Sequence, residues 1–411
     1  MTDARVRTNP NLTRRRFLQG SAYAGAAAFL AACGTPGTSG AASSATPSAT
    51  GAASAGASPS SGATPATSGD LRFANWIGYI DTAEDGSYPT IKKFEAESGI
   101  TMTYGDGNVD DNETFFTSDL QAPLDAGLPT EWDIVVVTDW MVARLIRLGW
   151  LETIDTSLTP NFVANLAPNY KGRSFDPDTN LAAPWQSGMT GLGFDKNKTG
   201  DLDSIEVLFS DEYKGKLTYL SEMRDTVGLT ALKLGHDPAT LTQEQFDEAL
   251  AVVDGAVKSG IVRQVVGNSY VEDMAGGSVI LAMAWSGDVL SLLVPDQGPD
   301  QDFQWALPKE GGMLWTDNMV IPKGAPNKAQ AERWIDFYYE PENAATIEAY
   351  VNYVCPVVGA KEVMVGLDPD IANNPLIFPP DDWVARLHQF RATSAEEETA
   401  WSEAFTKAMG L

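Results

Sequence analysis

Trp132-Asp133-Ile134-Val135-Val136-Val137-Thr138-Asp139-Trp140 is the stretch that decides the fold. Four branched apolar residues in succession, bounded by polar ones, are too short a run for a helix and read as a buried strand, with Thr138 and Trp140 just beyond its carboxyl end. Upstream, Leu71-Arg72-Phe73-Ala74 reads as a strand, residues 89–98 as a helix and Ile100–Tyr104 as a strand. Downstream, Lys216–Leu220 and Val279–Ala284 read as strands. Phe246, Leu250, Val253 and Val257 mark one face of a helix that begins after Thr242 and stops at Gly260. This alternation predicts an α/β fold around largely parallel sheets, and no solenoid-length repeat interrupts it.

The first 33 residues read as an address. Thr13-Arg14-Arg15-Arg16-Phe17-Leu18 sets a twin-arginine run before a small, apolar stretch ending in Leu30-Ala31-Ala32-Cys33, the pattern of an export signal joined to a lipoprotein signal that leaves Cys33 acylated. The apolar stretch falls short of the roughly 20 residues that span a bilayer. Residues 34–69 are almost entirely Gly, Ala, Ser, Thr and Pro and are expected to form a disordered tether with an r.m.s. reach of about 30–36 Å. With Cys33 lipidated, Cys355 has no partner, so the folded part is expected to rely on its core rather than on a disulfide.

Charge sets the direction of any binding. The whole chain carries a formal −27, and loss of residues 1–32 leaves 23 Lys and Arg against 54 Asp and Glu, or −31. Nucleic acid and anionic lipid are poor partners for such a surface, and cations are favoured. Two motifs pair an indole with a carboxylate: Trp285-Ser286-Gly287-Asp288 and Trp315-Thr316-Asp317. An ammonium on an indole face gains roughly 0.5–2 kcal/mol, and its hydrogen bond to a carboxylate roughly 1.5–3 kcal/mol. Trp76, Thr138, Trp140, Glu222 and Trp285 all fall at carboxyl ends of expected strands, where open α/β sheets bind ligands.

Several short motifs follow one another in order: Phe73-Ala-Asn75-Trp76 with Tyr79, Asp133–Thr138, Phe175-Asp-Pro177, Ala183-Pro184-Trp185, Glu212-Tyr-Lys-Gly215, Trp285–Asp288, and Pro308–Gly312 running into Trp315-Thr-Asp317. In that order and spacing the chain, over about residues 71–410, resembles the spermidine/putrescine-binding proteins of bacterial ABC importers. The resemblance implies a two-lobed, hinged, periplasmic-binding-protein-like type II fold, each lobe a mixed, mostly parallel sheet flanked by helices. Residues 70–188 and 315–358 would form one lobe, and 189–312 with the tail 362–411 the other. It implies that Trp76 and Tyr79 form one side of an aromatic slot with Thr138 and Trp140 at its floor, and that Glu222 and Asp225 face an amine. Asp288 and Asp317 match carboxylates for amines, Trp285 and Trp315 match walls around a methylene chain, and Tyr353 matches a further aromatic near the hinge. The late contact is left among His388, Gln389 and Arg391, and Ile77 and Gly78 stand where the family is often polar. A monomer, delivering its ligand to an ABC permease without a cofactor or metal, is what the resemblance implies.

Other readings fit parts of the sequence. A betaine, opine or basic amino acid would suit an aromatic and acidic box but needs a partner for its carboxylate, for which Arg224 is the mapped candidate. Paired acids could serve a glycoside-acting enzyme, yet the mature chain has only His236 and His388 and no Gly-x-Ser-x-Gly elbow. Asp106–Asn112 resembles the start of a calcium loop but has Asp111 at the glycine position and Thr117 at the glutamate position. Ser187-Gly188-Met-Thr-Gly191-Leu-Gly193 lacks a P-loop lysine and is expected to give freedom where the chain crosses between lobes. Tyr338-Tyr339, read as helical, lies outside the mapped pocket, and Cys355, Met274 and Met283 read as core.

Overall fold

A computed structural model describes residues 65–109, 111–292 and 300–410. The address, Cys33 and most of the tether lie outside the described residues. Ten strands are described: β1 Gly69–Trp76, β2 Ile100–Val109, β3 Ile134–Thr138, β4 Ala183–Asp195, β5 Leu217–Leu220, β6 Val262–Val266, β7 Leu281–Trp285, β8 Phe303–Ala306, β9 Gly312–Val320 and β10 Leu387–His388. Their order is β2-β1-β3-β9-β4-β7-β5-β6, with β8 on β4 and β10 on β9. Two parallel triplets result, β2-β1-β3 and β7-β5-β6, and the long antiparallel pair β9/β4 runs between them.

Local chemistry explains the elements that the sequence marks most clearly. Ile134, Val135, Val136 and Val137 are all fully buried, as a strand covered on both faces requires. Helix Pro89–Ser98 starts with proline in its first turn and ends at Gly99 in the left-handed region (φ 70°). Helix Gln243–Lys258 opens on a capping box between Thr242 and Gln245. β1 begins at Gly69, at the end of the expected tether, because Gly69 already pairs with Ile100. Ala66 also packs against the core, so the tether's last described residues are part of the fold.

The glycine-rich run 187–193 is not a flexible crossing. All thirteen residues of β4 are buried, and its glycines are needed for close packing. A Cβ on Gly191 would meet the Ala306 carbonyl oxygen at 2.6 Å, and one on Gly193 would meet the Ala284 methyl at 2.7 Å. Tyr338 and Tyr339 also serve β4: their hydroxyls donate to the carbonyls of Trp185 and Pro184 respectively, the latter at 2.6 Å.

On the tail, helices Ala360–Leu367 and Pro369–Ala372 continue from helix Pro341–Val351, which packs on Pro89–Ser98 beside β2. The part of 362–411 nearest its start therefore sits on the β1–β3 side. Helix Ala395–Met409 packs on Gln243–Lys258, on the β5–β7 side. Among the described residues no helix is long and apolar enough to cross a membrane.

Gly193→Val is expected to destabilise the protein by about 1–3 kcal/mol through overpacking against Ala284 and Val289, measured as a lower urea midpoint at unchanged m-value.

Candidate functional site

Strand register assembles the site. In β3/β9 pairing Thr138 stands opposite Asp317, and its hydroxyl donates to Asp317 Oδ1 at 2.7 Å. Asn112 fixes Thr138 in turn, donating from its amide to the Thr138 hydroxyl (2.9 Å) and accepting from the Thr138 N–H (3.1 Å). Trp76 closes β1. Gly78, at φ 63°, turns the chain with its N–H held by Asp106 at 2.8 Å, and Tyr79 then donates its hydroxyl to Asp317 Oδ2 at 2.9 Å. Asp106, the first acid of the calcium-like run, lies in β2 and is used in this way. Among the described residues no group of three or more His, Cys, Asp or Glu could hold a metal ion.

On the other side, Thr190 of β4 stands opposite Trp285 of β7, and both grip Asp225: the Thr190 hydroxyl donates at 2.8 Å and the Trp285 indole N–H at 2.7 Å. Asp288 accepts from Asn268 (2.8 Å), from the Tyr270 hydroxyl (3.0 Å) and from the Tyr353 hydroxyl (3.4 Å). Tyr270 has a second use, its oxygen accepting the Trp285 backbone N–H at 3.0 Å. Tyr353 follows Asn352, which ends helix Pro341–Val351 in the left-handed region, and its N–H donates to the buried Glu348 at 2.6 Å. Burial pushes the Glu348 carboxyl well above the usual range, against the pull of the Tyr353 backbone N–H.

The rings form one edge-to-face series: Tyr79 to Tyr353 at 5.8 Å, Tyr353 to Trp315 at 5.5 Å, and Trp315 to Trp285 at 6.5 Å. Two glycines make room for it. A Cβ on Gly188 would lie 2.1 Å from the Trp315 ring, and one on Gly287 would lie 2.5 Å from the Tyr353 ring. Gly287 stands inside the Trp285–Asp288 motif, where a small residue between an indole and a carboxylate was its only signal. Asn268, Tyr270, Thr190 and Asn112 carry no such local signal and are found only through the fold.

A small cavity of about 40 Å³ opens where the two sides meet, and Thr138, Trp140, Asp225 and Trp315 are in its wall. The other expected residues are not in its wall: Asp317 stands behind Thr138, which it holds by a hydrogen bond, and Trp285 and Tyr353 pack edge-to-face on Trp315. Trp76 packs where the two core clusters adjoin. Glu222 caps helix Met223–Lys233 and pairs with Arg224 at 3.0 Å, so it already has a cation beside it. Arg224 also lies 4.2 Å over the Trp140 ring. Of the late candidates, Arg391 lines the cavity and His388 turns to Asp237 at 3.1 Å. Burial, then the charge of Glu222, pushes the Asp225 carboxyl up to about 7 against the opposing pull of its two hydrogen bonds and of Arg224.

Two lobes built on parallel triplets, joined by long strands beside a lined crevice, define the class of receptors that hold a solute. Residues 90–379 match the family of bacterial extracellular solute-binding proteins, and the chain belongs to that family. The spermidine/putrescine-binding periplasmic protein of Escherichia coli K12 is 27% identical over 313 residues, 75% of this chain and 83% of that protein. The putrescine/cadaverine-binding protein of Pseudomonas aeruginosa PAO1 is 26% identical over 349 residues, 82% of this chain and 92% of its own length. The crystal structure of the substrate-binding protein PotD of a spermidine/putrescine ABC transporter from Streptococcus pneumoniae superposes with a TM-score of 0.69, over 83% of this chain and 98% of that one, at 24% identity. The fold is the two-lobed periplasmic-binding-protein type expected from the sequence.

Asp225 gives a signed stability test. Its folded pKa lies above the unfolded value of 3.8, so between about pH 4 and 7 the native state holds a proton that the unfolded chain has lost. Stability from this group is present below that window and is lost as pH rises through it, at about 1.4 kcal/mol per pH unit for one proton. Urea unfolding across pH 4–8 should show this decline in the wild type relative to Asp225→Asn.

Proposed function

We propose that this chain is an exported, lipid-anchored receptor that captures a polyamine, putrescine or spermidine, between its lobes and hands it to an ABC import permease without catalysing a reaction. The anchor would be Cys33, ahead of the Ala/Ser/Gly/Thr/Pro tether. The lobes would be residues 70–188 with 315–358, and 189–312 with the tail, amended so that residues 359–372 travel with the first. The change of partner along β4, from β9 to β7 at Thr190, supports this division.

One observation carries the reading: Asp317, Asp225 and Asp288, beside a continuous series of aromatic rings, are oriented by hydroxyl, indole and amide donors. A carboxylate aimed in this way can accept charge-assisted hydrogen bonds from a desolvated ammonium. Trp76, Tyr79, Thr138, Trp140, Trp285, Trp315 and Tyr353 would sheathe the methylene chain, Asp225, Asp288 and Asp317 would receive amines, and Glu222, paired with Arg224, would act on the amine only through its charge beside Asp225. The names of the polyamine-binding relatives support the same substrate class. A carboxylate-bearing ligand is disfavoured because Arg224, its mapped partner, is engaged by Glu222 and lies 3.7 Å from Glu398.

Titration of intrinsic tryptophan fluorescence with putrescine, spermidine, spermine, lysine and glycine betaine tests the reading, with a response expected to the polyamines at micromolar concentration. Asp317→Asn should weaken binding at least tenfold with an unchanged unfolding transition, as loss of one charge-assisted bond worth about 1.5–3 kcal/mol implies. No response to any polyamine at high micromolar concentration overturns it.

A further inference from the structure

Glu398 lies in the first turn of helix Ala395–Met409. That helix is fastened to the β5–β7 side: Trp401 stacks on Phe246 with centroids 4.1 Å apart, and its indole N–H donates to Gln243 at 2.7 Å. The Glu398 carboxylate nevertheless turns to the opposite side. Oε1 accepts from Arg144 Nη2 (3.0 Å) and Nε (3.3 Å), and Oε2 accepts from Arg147 Nη2 (2.7 Å). Both arginines sit on helix Asp139–Leu148, which follows β3. Arg147 also donates to the Thr393 carbonyl at 3.0 Å, so two points of the tail are held by one guanidinium.

The contacts extend to the β5–β7 side itself. Arg224, on the helix after β5, brings Nη2 to 3.7 Å from Glu398 Oε1. Glu113 pairs with Arg144 at 2.7 Å and Glu222 with Arg224 at 3.0 Å, so three guanidiniums face three carboxylates. The Glu398 side chain is only 8% exposed, which places it among partly desolvated pairs rather than surface ones screened to little effect. Arg144 and Arg224 both lie over the Trp140 ring, at 5.2 and 4.2 Å, so the same acid sets two groups against a wall of the cavity.

We propose that Glu398 is the latch of the closed receptor: a tail carboxylate that gathers arginines from both sides of the cleft, holds the lobes together, and steadies Trp140. As an account of how solute is retained it rests on the solute-receptor reading above. Opening must separate Glu398 from Arg144 and Arg147, a cost independent of ligand contacts, so the latch raises the closed population of the empty protein and slows escape from the filled one. Arg147 is not in the cavity wall, and changing it removes neither of the guanidiniums that lie over the Trp140 ring.

The test uses the full chain as wild type, Arg147→Gln, Glu398→Gln and the double variant. Putrescine dissociation, followed by stopped-flow tryptophan fluorescence, should be about tenfold faster in each single variant, with association changed less than twofold. The double variant should release putrescine no faster than Glu398→Gln, because both changes break one link. X-ray scattering of the ligand-free variants should give a larger radius of gyration than wild type. Wild-type dissociation rates and dimensions in both single variants overturn the latch. Absence of polyamine binding by the wild type would count against the polyamine reading alone, since ligand-free scattering still decides whether Glu398 holds the lobes.

Discussion

The antiparallel pairing of β4 with β9 is the constraint on which the site depends. The sheet's path from one parallel triplet to the other passes through these two strands, and their register decides which side chains meet. It sets Trp315 opposite Gly188 and Asp317 opposite Gln186, while β9's other edge sets Asp317 opposite Thr138. Beyond Thr190, β4 changes partner to β7 and brings Trp285 into line. A slip of one residue would turn Trp315 and Asp317 to the opposite face together. The glycines of β4 follow from this geometry: an indole laid across a strand leaves no room for a Cβ beneath it.

Charge is managed in two ways around the cavity. Asp225, Asp288 and Asp317 accept hydrogen bonds from hydroxyl, indole and amide donors that fix the direction of each carboxylate. Glu113, Glu222 and Glu398 are matched instead by Arg144, Arg147 and Arg224. Trp140 stands between these regimes, facing the cavity while guanidiniums lie over its ring. An aromatic face already occupied by arginine contributes shape more than cation affinity, so the rings that serve an ammonium are better sought in the series from Tyr79 to Trp285.

Much of the fold was legible because its signals are local. Ile134–Val137 could hardly be anything but a covered strand, and Pro89, Gly99 and Thr242 mark helix ends by chemistry confined to a turn. The indole and carboxylate motifs were legible as pairs because each falls within four residues. The misreading of 187–193 shows where that logic stops. Glycine spacing in a sequence does not distinguish a flexible crossing from a strand on which Trp305, Trp315 and Ala284 press. Asn268 and Tyr270 were equally silent, since their link to Asp288 is made by the turn from β6 to β7. In the sequence Glu398 is one of three consecutive acids, and only the docking of its helix across from Arg144 sets it apart from its neighbours.

The two charge regimes also oppose one another in a useful way. Without ligand, burial and then the charge of Glu222 beside it push the Asp225 carboxyl up to about 7. A cation entering the cavity relieves the repulsion and draws the proton from Asp225, so affinity for an amine should fall on acidification. The arginine network favours the same closed arrangement without reference to the ligand. Closing would therefore combine a fixed attraction with a ligand-dependent one. If the fixed part were much larger, the empty receptor would stay shut and ligand entry would slow; if it were absent, release would outrun delivery. A single tail carboxylate shared among arginines is a modest fixed term, which leaves the carboxylates of the cleft to decide when the lobes stay closed.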